Sequence, residues 1–204
     1  MKVNQKSIKY VVVVALIHLI LIAFTDFFKI SKPFRVPPVA SYILNFLIEG
    51  TYLIVIIYLS YVLKYLNEKR SIILIFQIYA ATDLFSFLRN LLVEPSIIGT
   101  YFFISFILIT VVICFIIQLF KIKNPVLAPY FKLLALTMLF STLLSTIGPI
   151  LMVLHYVGRS ILSYIKISYL LPSGIIVSIL YKTLSCFSDQ EPPLFKQANI
   201  DESN

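Results

Sequence analysis

Long apolar runs alternate with short polar segments along the chain, and each run is close to the about 20 residues that an α-helix needs to cross a bilayer. We predict membrane-spanning helices at 9–28, 39–63, 71–92, 100–120, 131–154 and 158–181. The segments between them carry charges, proline or glycine, and 183–204 forms a short polar tail. The pattern predicts an all-α, polytopic integral membrane protein, a bundle of six transmembrane helices with short loops.

Composition supports lipid as the solvent for most of the chain. The sequence is 60% hydrophobic and 13% charged, whereas soluble domains average about 45–50% and about 25%. The net charge of +8 does not indicate nucleic acid as a partner, because the basic residues fall between the apolar runs, where membrane proteins keep them. The partner that the composition predicts is the lipid bilayer.

The distribution of Lys and Arg predicts the orientation, because cytoplasmic loops carry an excess of both. With the N-terminus inside, the inner segments hold 11 of the 17 cations: Lys2, Lys6, Lys9, Lys64, Lys69, Arg70, Lys121, Lys123, Lys132, Lys182 and Lys196. The other six lie in outer segments and in the outer ends of helices. We therefore expect both termini to lie in the cytoplasm. The compact size of the chain and its short loops favour a prokaryotic plasma membrane.

Three ionisable residues inside the predicted spans need an explanation, because each costs a few kcal/mol at a helix centre. At about 1.5 Å per residue, Glu49, Asp83 and Lys166 lie at overlapping depths in the second, third and sixth spans. We expect Lys166 to neutralise one acid, and the other acid to be protonated or to face water. Alternatively, the charges only determine which helices meet.

Helical spacing groups further polar residues with the two acids, because residues at these intervals share one helix face. The third span carries Tyr79, Asp83, Ser86 and Asn90 at i, i+4, i+7 and i+11. The second span carries Tyr42, Asn45, Glu49 and Tyr52 at similar intervals. Asp26 and Arg89 lie near helix ends, and we expect them at the outer rim, where side chains reach water.

Two helices carry residues that affect helix geometry. In the fifth span, Ser141 and Ser145 belong to a stripe of small residues that is typical of close helix packing. In the sixth span, Pro172 and Gly174 at mid-depth can break the helix, and broken helices line substrate sites in transporters. A simple proline kink is the commoner outcome of such a pattern, because neighbouring helices satisfy the freed backbone groups.

The sequence gives little support for catalysis and leaves any catalytic residue unassigned. The two histidines, His18 and His155, lie at different depths, and neither has a second ligand at i+3 or i+4, so no metal site is expected. No G-x-S-x-G turn and no glycine-rich phosphate loop occurs. No cofactor is expected, and the balance is against an enzyme.

Three functions remain open. The favoured one is a small membrane-embedded binding or transport protein with an outward-facing polar cavity that contains Glu49, Asp83 and Lys166. The second is an intramembrane enzyme that acts on a lipid, with Asp83 or Glu49 as acid or base. The third is a structural or accessory subunit whose charges pair with each other or with a membrane partner protein. A transporter of this size would be expected to form a homodimer.

Overall fold

The computed structural model of the protein describes residues 3–31, 37–92, 98–153, 167–168 and 170–188. This part of the chain is all-α. Its six long helices are α1 Gln5–Ser31, α2 Pro38–Tyr65, α3 Arg70–Leu92, α4 Ile98–Leu119, α5 Ala128–Val153 and α6 Leu170–Ser188.

Five of these helices are long and apolar enough to cross a membrane by length and composition: α1, α2, α3, α5 and α6. In α4, a helix of 22 residues, Phe106–Leu119 is also apolar. Large apolar side chains point away from the bundle, among them Ile20, Phe46 and Phe106, each more than 60% exposed. The all-α class expected from the sequence is confirmed for the described residues, and five such helices with large apolar side chains on the outside fit a helical bundle in a membrane.

The helices form a ring in chain order. Each helix packs against the helices before and after it, and α1 packs against α6 to close the ring. The connections at 66–69 and 120–127 are short, so the helices that they join run antiparallel. The beginning of α1 lies at the same end as these two connections, because the Ser7 and Tyr58 hydroxyl oxygens are 2.8 Å apart, and so does the end of α6, where the Phe187 ring lies 5.6 Å from that of Tyr65. One end of the bundle thus collects the beginnings of α1, α3 and α5 together with the ends of α2, α4 and α6. We call it the closed end.

Aromatic and aliphatic side chains fill the inside of the ring at the closed end. Four large aromatic side chains expose 1% of their surface or less, namely Tyr58, Phe76, Phe115 and Phe131. The ring of Phe76 lies edge-on to Phe115 at 4.6 Å and to Phe131 at 6.2 Å between centroids. Ile8 of α1 is also fully buried in this cluster. Interdigitated rings leave little room for water, so the apolar cluster seals this end.

A buried carboxylate joins two connections at the closed end. Glu68 lies just after Asn67, whose φ of 53° is left-handed, a conformation that asparagine tolerates well. Glu68 Oε1 accepts hydrogen bonds from the backbone N–H groups of Lys123 at 2.9 Å and Asn124 at 2.7 Å. The connection between α2 and α3 is thereby tied to the one between α4 and α5. We call this contact the Glu68 clamp.

The helix α6 begins at Leu170, and Ile167 before it is also helical. Ser168 lies in a turn, and its carbonyl accepts hydrogen bonds from the Leu171 N–H at 3.2 Å and from Ser141 Oγ of α5 at 2.9 Å. Pro172 lies in the first turn of the helix, where its missing N–H costs nothing, and the helix continues unbroken through Gly174 to Ser188. The preceding part of the predicted sixth span, 158–166, lies outside the described residues, as does 189–204 of the predicted tail.

Candidate functional site

A cavity of about 580 Å³ lies inside the ring, beyond the apolar cluster of the closed end. Small-molecule sites commonly measure about 300–1,000 Å³. All six helices contribute to its lining: His18, Ile22, Thr25, Asp26, Asn45, Ile48, Glu49, Tyr52, Tyr79, Asp83, Val112, Met138, Ser141, Thr142, Ser145, Pro172 and Ser173. Twelve of these 17 residues have polar side chains, and inside a membrane bundle a polar side chain requires a partner or water.

Carboxylates from three consecutive helices face this space: Asp26 of α1, Glu49 of α2 and Asp83 of α3. Asp83 Oδ2 is buried and has no hydrogen-bond partner within the described part of the chain. Glu49 and Asp83 line the same cavity, and neither forms a salt bridge with a described residue. The cavity therefore presents one acceptor, Asp83 Oδ2, that lacks a donor within the described part of the chain.

Two tyrosines and a histidine form the base of the cavity. The hydroxyl oxygens of Tyr52 and Tyr79 are 2.9 Å apart and share a hydrogen bond. Tyr52 also stacks on the His18 ring at 5.3 Å, and Tyr79 stacks on Phe115 at 4.3 Å between centroids. Since Phe115 belongs to the apolar cluster, the base of the cavity rests directly on the closed end.

His18 connects α1 to two other helices. Its Nδ1 lies 3.1 Å from the Ile48 carbonyl and 3.2 Å from Thr51 Oγ1. A carbonyl oxygen only accepts, so Nδ1 carries the proton. In the neutral ring, Nε2 is then an acceptor, and it lies 3.4 Å from the Ser173 hydroxyl of α6. The imidazole is thus positioned from both sides, and it exposes only 5% of its surface.

The side of the cavity formed by α5 carries hydroxyl groups. Ser141 packs as the small-residue stripe predicts, because its hydroxyl bonds to the backbone of Ser168. Ser145 and Thr142 also line the cavity, and the Ser145 hydroxyl donates to the Thr142 carbonyl at 2.9 Å. The stripe therefore contributes polar surface to the cavity as well as a packing contact.

The structure brings four of the candidate residues together in one cavity, namely Glu49, Asp83, Asn45 and Tyr79. Ser86 and Arg89 are partly buried and do not line it. Asp26, expected at the outer rim, is instead 9% exposed and lines the cavity. Lys166 and the side chain of Asn90 lie outside the described residues, so the expected pairing of Lys166 stays a prediction.

Some lining residues, among them His18 and Thr25, were not among the candidates from the sequence. Together with the rim candidate Asp26 they recur at i, i+7 and i+8 on α1, and this spacing could have identified a third polar stripe. Tyr52 belonged to the stripe of α2 but was not singled out. Ser173 gave no sequence signal, because its position depends on where α6 begins.

Among the described residues, no group of three His, Cys, Asp or Glu side chains is arranged to hold a metal ion. The chemistry that this lining offers is hydrogen bonding and charge: carboxylates that accept, tyrosines and serines that donate or accept, and one imidazole. No protein-family model matches the chain, and no curated protein or solved structure is significantly similar to it.

Proposed function

We propose that the protein is a multi-pass protein of the cell membrane that binds a small polar solute in the central cavity and takes part in its transport. The observation that carries this proposal is the position of Glu49 and Asp83, which face a cavity of about 580 Å³ without a salt bridge to any described residue. A charged group inside a membrane bundle is costly unless it pairs or serves a pathway. An accessory subunit with mutually paired charges has no need of such a cavity.

The proposed orientation places the closed end in the cytoplasm and the cavity toward the outside. Nine described cations lie at or near the closed end: Lys6, Lys9, Lys64, Lys69, Arg70, Lys121, Lys123, Lys132 and Lys182. All but Lys182 are exposed, as expected for residues at a cytoplasmic surface. In this arrangement the chain crosses the membrane six times, with both termini inside.

Cysteine labelling tests the cavity and its orientation together. The background is a chain without its own thiols, carrying Cys114→Ser and Cys186→Ser. Asn45→Cys places a thiol in the cavity, whereas Phe46→Cys places one at the same depth on the lipid face, where Phe46 is 62% exposed. Lys64→Cys marks the closed end.

A membrane-impermeant methanethiosulfonate reagent is expected to modify Asn45→Cys in intact cells and Lys64→Cys only in inside-out vesicles. Phe46→Cys should resist modification from both sides, because the reagent requires a thiolate in water. Modification of Asn45→Cys only in inside-out vesicles would reverse the proposed orientation, and its resistance from both sides would contradict a solvent-reachable cavity.

A further inference from the structure

We infer that the solute is a small organic cation with N–H donors, meaning a primary ammonium or a guanidinium group. This inference rests on the proposed function and specifies the class of ligand for the same cavity. Three independent properties of the described lining support it: its charge, its unsatisfied hydrogen-bonding capacity and its aromatic base.

The charge of the lining selects for cations. Asp26, Glu49 and Asp83 contribute three carboxylates, and no Lys or Arg occurs among the described lining residues. Clefts with low-dielectric walls and charges of one sign focus the field and concentrate counter-ions. An anionic solute would meet Glu49 and Asp83 of two neighbouring helices, neither of which forms a salt bridge with a described residue.

The second property is an unsatisfied hydrogen-bond acceptor at Asp83. Buried polar atoms almost always have a partner, and an exception indicates an absent water, ion or ligand. Asp83 Oδ2 is such an exception within the described chain. An ammonium or guanidinium group supplies both the positive charge and the N–H that this oxygen lacks, whereas a quaternary ammonium supplies only the charge.

The aromatic base provides a surface for the rest of the ligand. Tyr52 lies between the His18 ring and Tyr79, whose hydroxyl it contacts. Tyrosine faces attract cations and pack against short apolar chains. Glu49 precedes Tyr52 by one turn on α2, and Asp83 follows Tyr79 by about one turn on α3. A cationic head near the acids would therefore place its organic part toward the tyrosines.

The first experiment measures the charge preference of the cavity. Purified full-length Asn45→Cys protein, in the background without native thiols, reacts with a cationic trimethylammonium-ethyl or an anionic sulfonatoethyl methanethiosulfonate. Relative to a free thiol, we expect the cationic reagent to be favoured about tenfold or more, in line with focusing in charged clefts. Adding Glu49→Gln and Asp83→Asn should remove most of this preference. Ser86→Ala, on the α3 stripe but outside the lining, should leave it unchanged.

The second experiment measures protection of the same thiol from the neutral reagent N-ethylmaleimide. Guanidinium and ethylammonium at millimolar concentration should slow the reaction several-fold, whereas urea and ethanol, their uncharged counterparts, should have no effect. Tetramethylammonium should protect less than ethylammonium, because it cannot donate to Asp83.

The outcomes separate this inference from the proposed function. If Asn45→Cys is modified from outside but shows no charge preference, or if urea protects as well as guanidinium, the ligand class is wrong while the outward cavity stands. If tetramethylammonium protects as strongly as ethylammonium, the role of the N–H donor is wrong. If the thiol does not react from outside at all, the ligand class and the outward cavity are both contradicted.

Discussion

The hydroxyl groups of Tyr52 and Tyr79 meet at 2.9 Å and align α2 with α3 at the base of the cavity. Because the two helices are antiparallel, Glu49, three residues before Tyr52, and Asp83, four residues after Tyr79, lie on the same side of this contact. Both acids are about one helical turn, or about 5 Å, beyond it. The tyrosine pair therefore sets the register in which two carboxylates face one space.

Removing one hydroxyl of this pair should destabilise the protein modestly. We expect Tyr52→Phe to lower the free energy of unfolding by about 0.5–1.5 kcal/mol, the usual net contribution of a hydrogen bond. Tyr79→Phe should have a similar effect. Because both variants remove the same bond, the double variant should cost less than the sum of the two. Thermal unfolding of the purified protein in detergent measures all three, and strict additivity would contradict a direct contact.

The position of the proton on His18 leads to a prediction about two amide replacements. The side-chain nitrogen of asparagine overlaps imidazole Nδ1, whereas that of glutamine overlaps Nε2. His18→Asn should therefore retain the bond to the Ile48 carbonyl, while His18→Gln should lose it. We expect His18→Gln to be the less stable of the two by about 1 kcal/mol. Equal unfolding temperatures would show that the bond to Ile48 contributes little.

The polar stripes of α2 and α3 could be predicted from the sequence because helical periodicity is local. Asn45 and Glu49, and likewise Tyr79 and Asp83, share a helix face wherever the helix lies in the bundle. That both faces point into one cavity depends on how the ring closes, which periodicity does not specify. Ring closure also explains why Ser141 lines the cavity as well as packing against the turn at Ser168.

Asp26 was placed at the rim because hydropathy ends the first span at residue 28. In the structure α1 continues to Ser31, so Asp26 lies more than one turn from the helix end and turns into the bundle. Ser173 depends on the irregular turn at Ser168, where backbone groups find partners on another helix. Hydrogen bonds between helices do not show in a hydropathy profile, so the sequence could not indicate the position of Ser173.

The Glu68 clamp should contribute measurably to stability, because its carboxylate is buried and accepts two backbone hydrogen bonds. We expect Glu68→Ala to lower the free energy of unfolding by about 1.5–3 kcal/mol, the range for bonds to a charged group. Glu68→Gln should cost less, since the amide oxygen occupies the position of Oε1. The matched control is Lys69→Ala, an exposed neighbour, whose effect should stay within about 0.5 kcal/mol. Comparable losses in Glu68→Ala and the control would contradict the clamp.

The apolar cluster should be far more sensitive to truncation than the lipid-facing surface. Phe76 is fully buried, while Phe106 is 64% exposed. We expect Phe76→Ala to lower the free energy of unfolding by about 3–5 kcal/mol through lost contacts and a new void. Phe106→Ala, which removes the same atoms toward lipid, should change it by less than about 1 kcal/mol. Unfolding in lipid nanodiscs compares the two, and similar losses would mean that Phe76 is not inside the seal.

The Asp83→Asn variant tests whether the Asp83 carboxylate serves ligand binding or the packing of the helices. If Asp83 binds a ligand, its carboxylate destabilises the ligand-free protein, because Oδ2 is buried without a donor. Neutralising it should then raise the free energy of unfolding, on the order of 1 kcal/mol, while reducing the preference of Asn45→Cys for a cationic reagent. Such a gain of stability with a loss of function is common at binding sites. A lower unfolding temperature would instead mean that the Asp83 carboxylate has a partner in the chain. Lys166 would then be tested first, with the Lys166→Met variant and with the double variant Asp83→Asn, Lys166→Met.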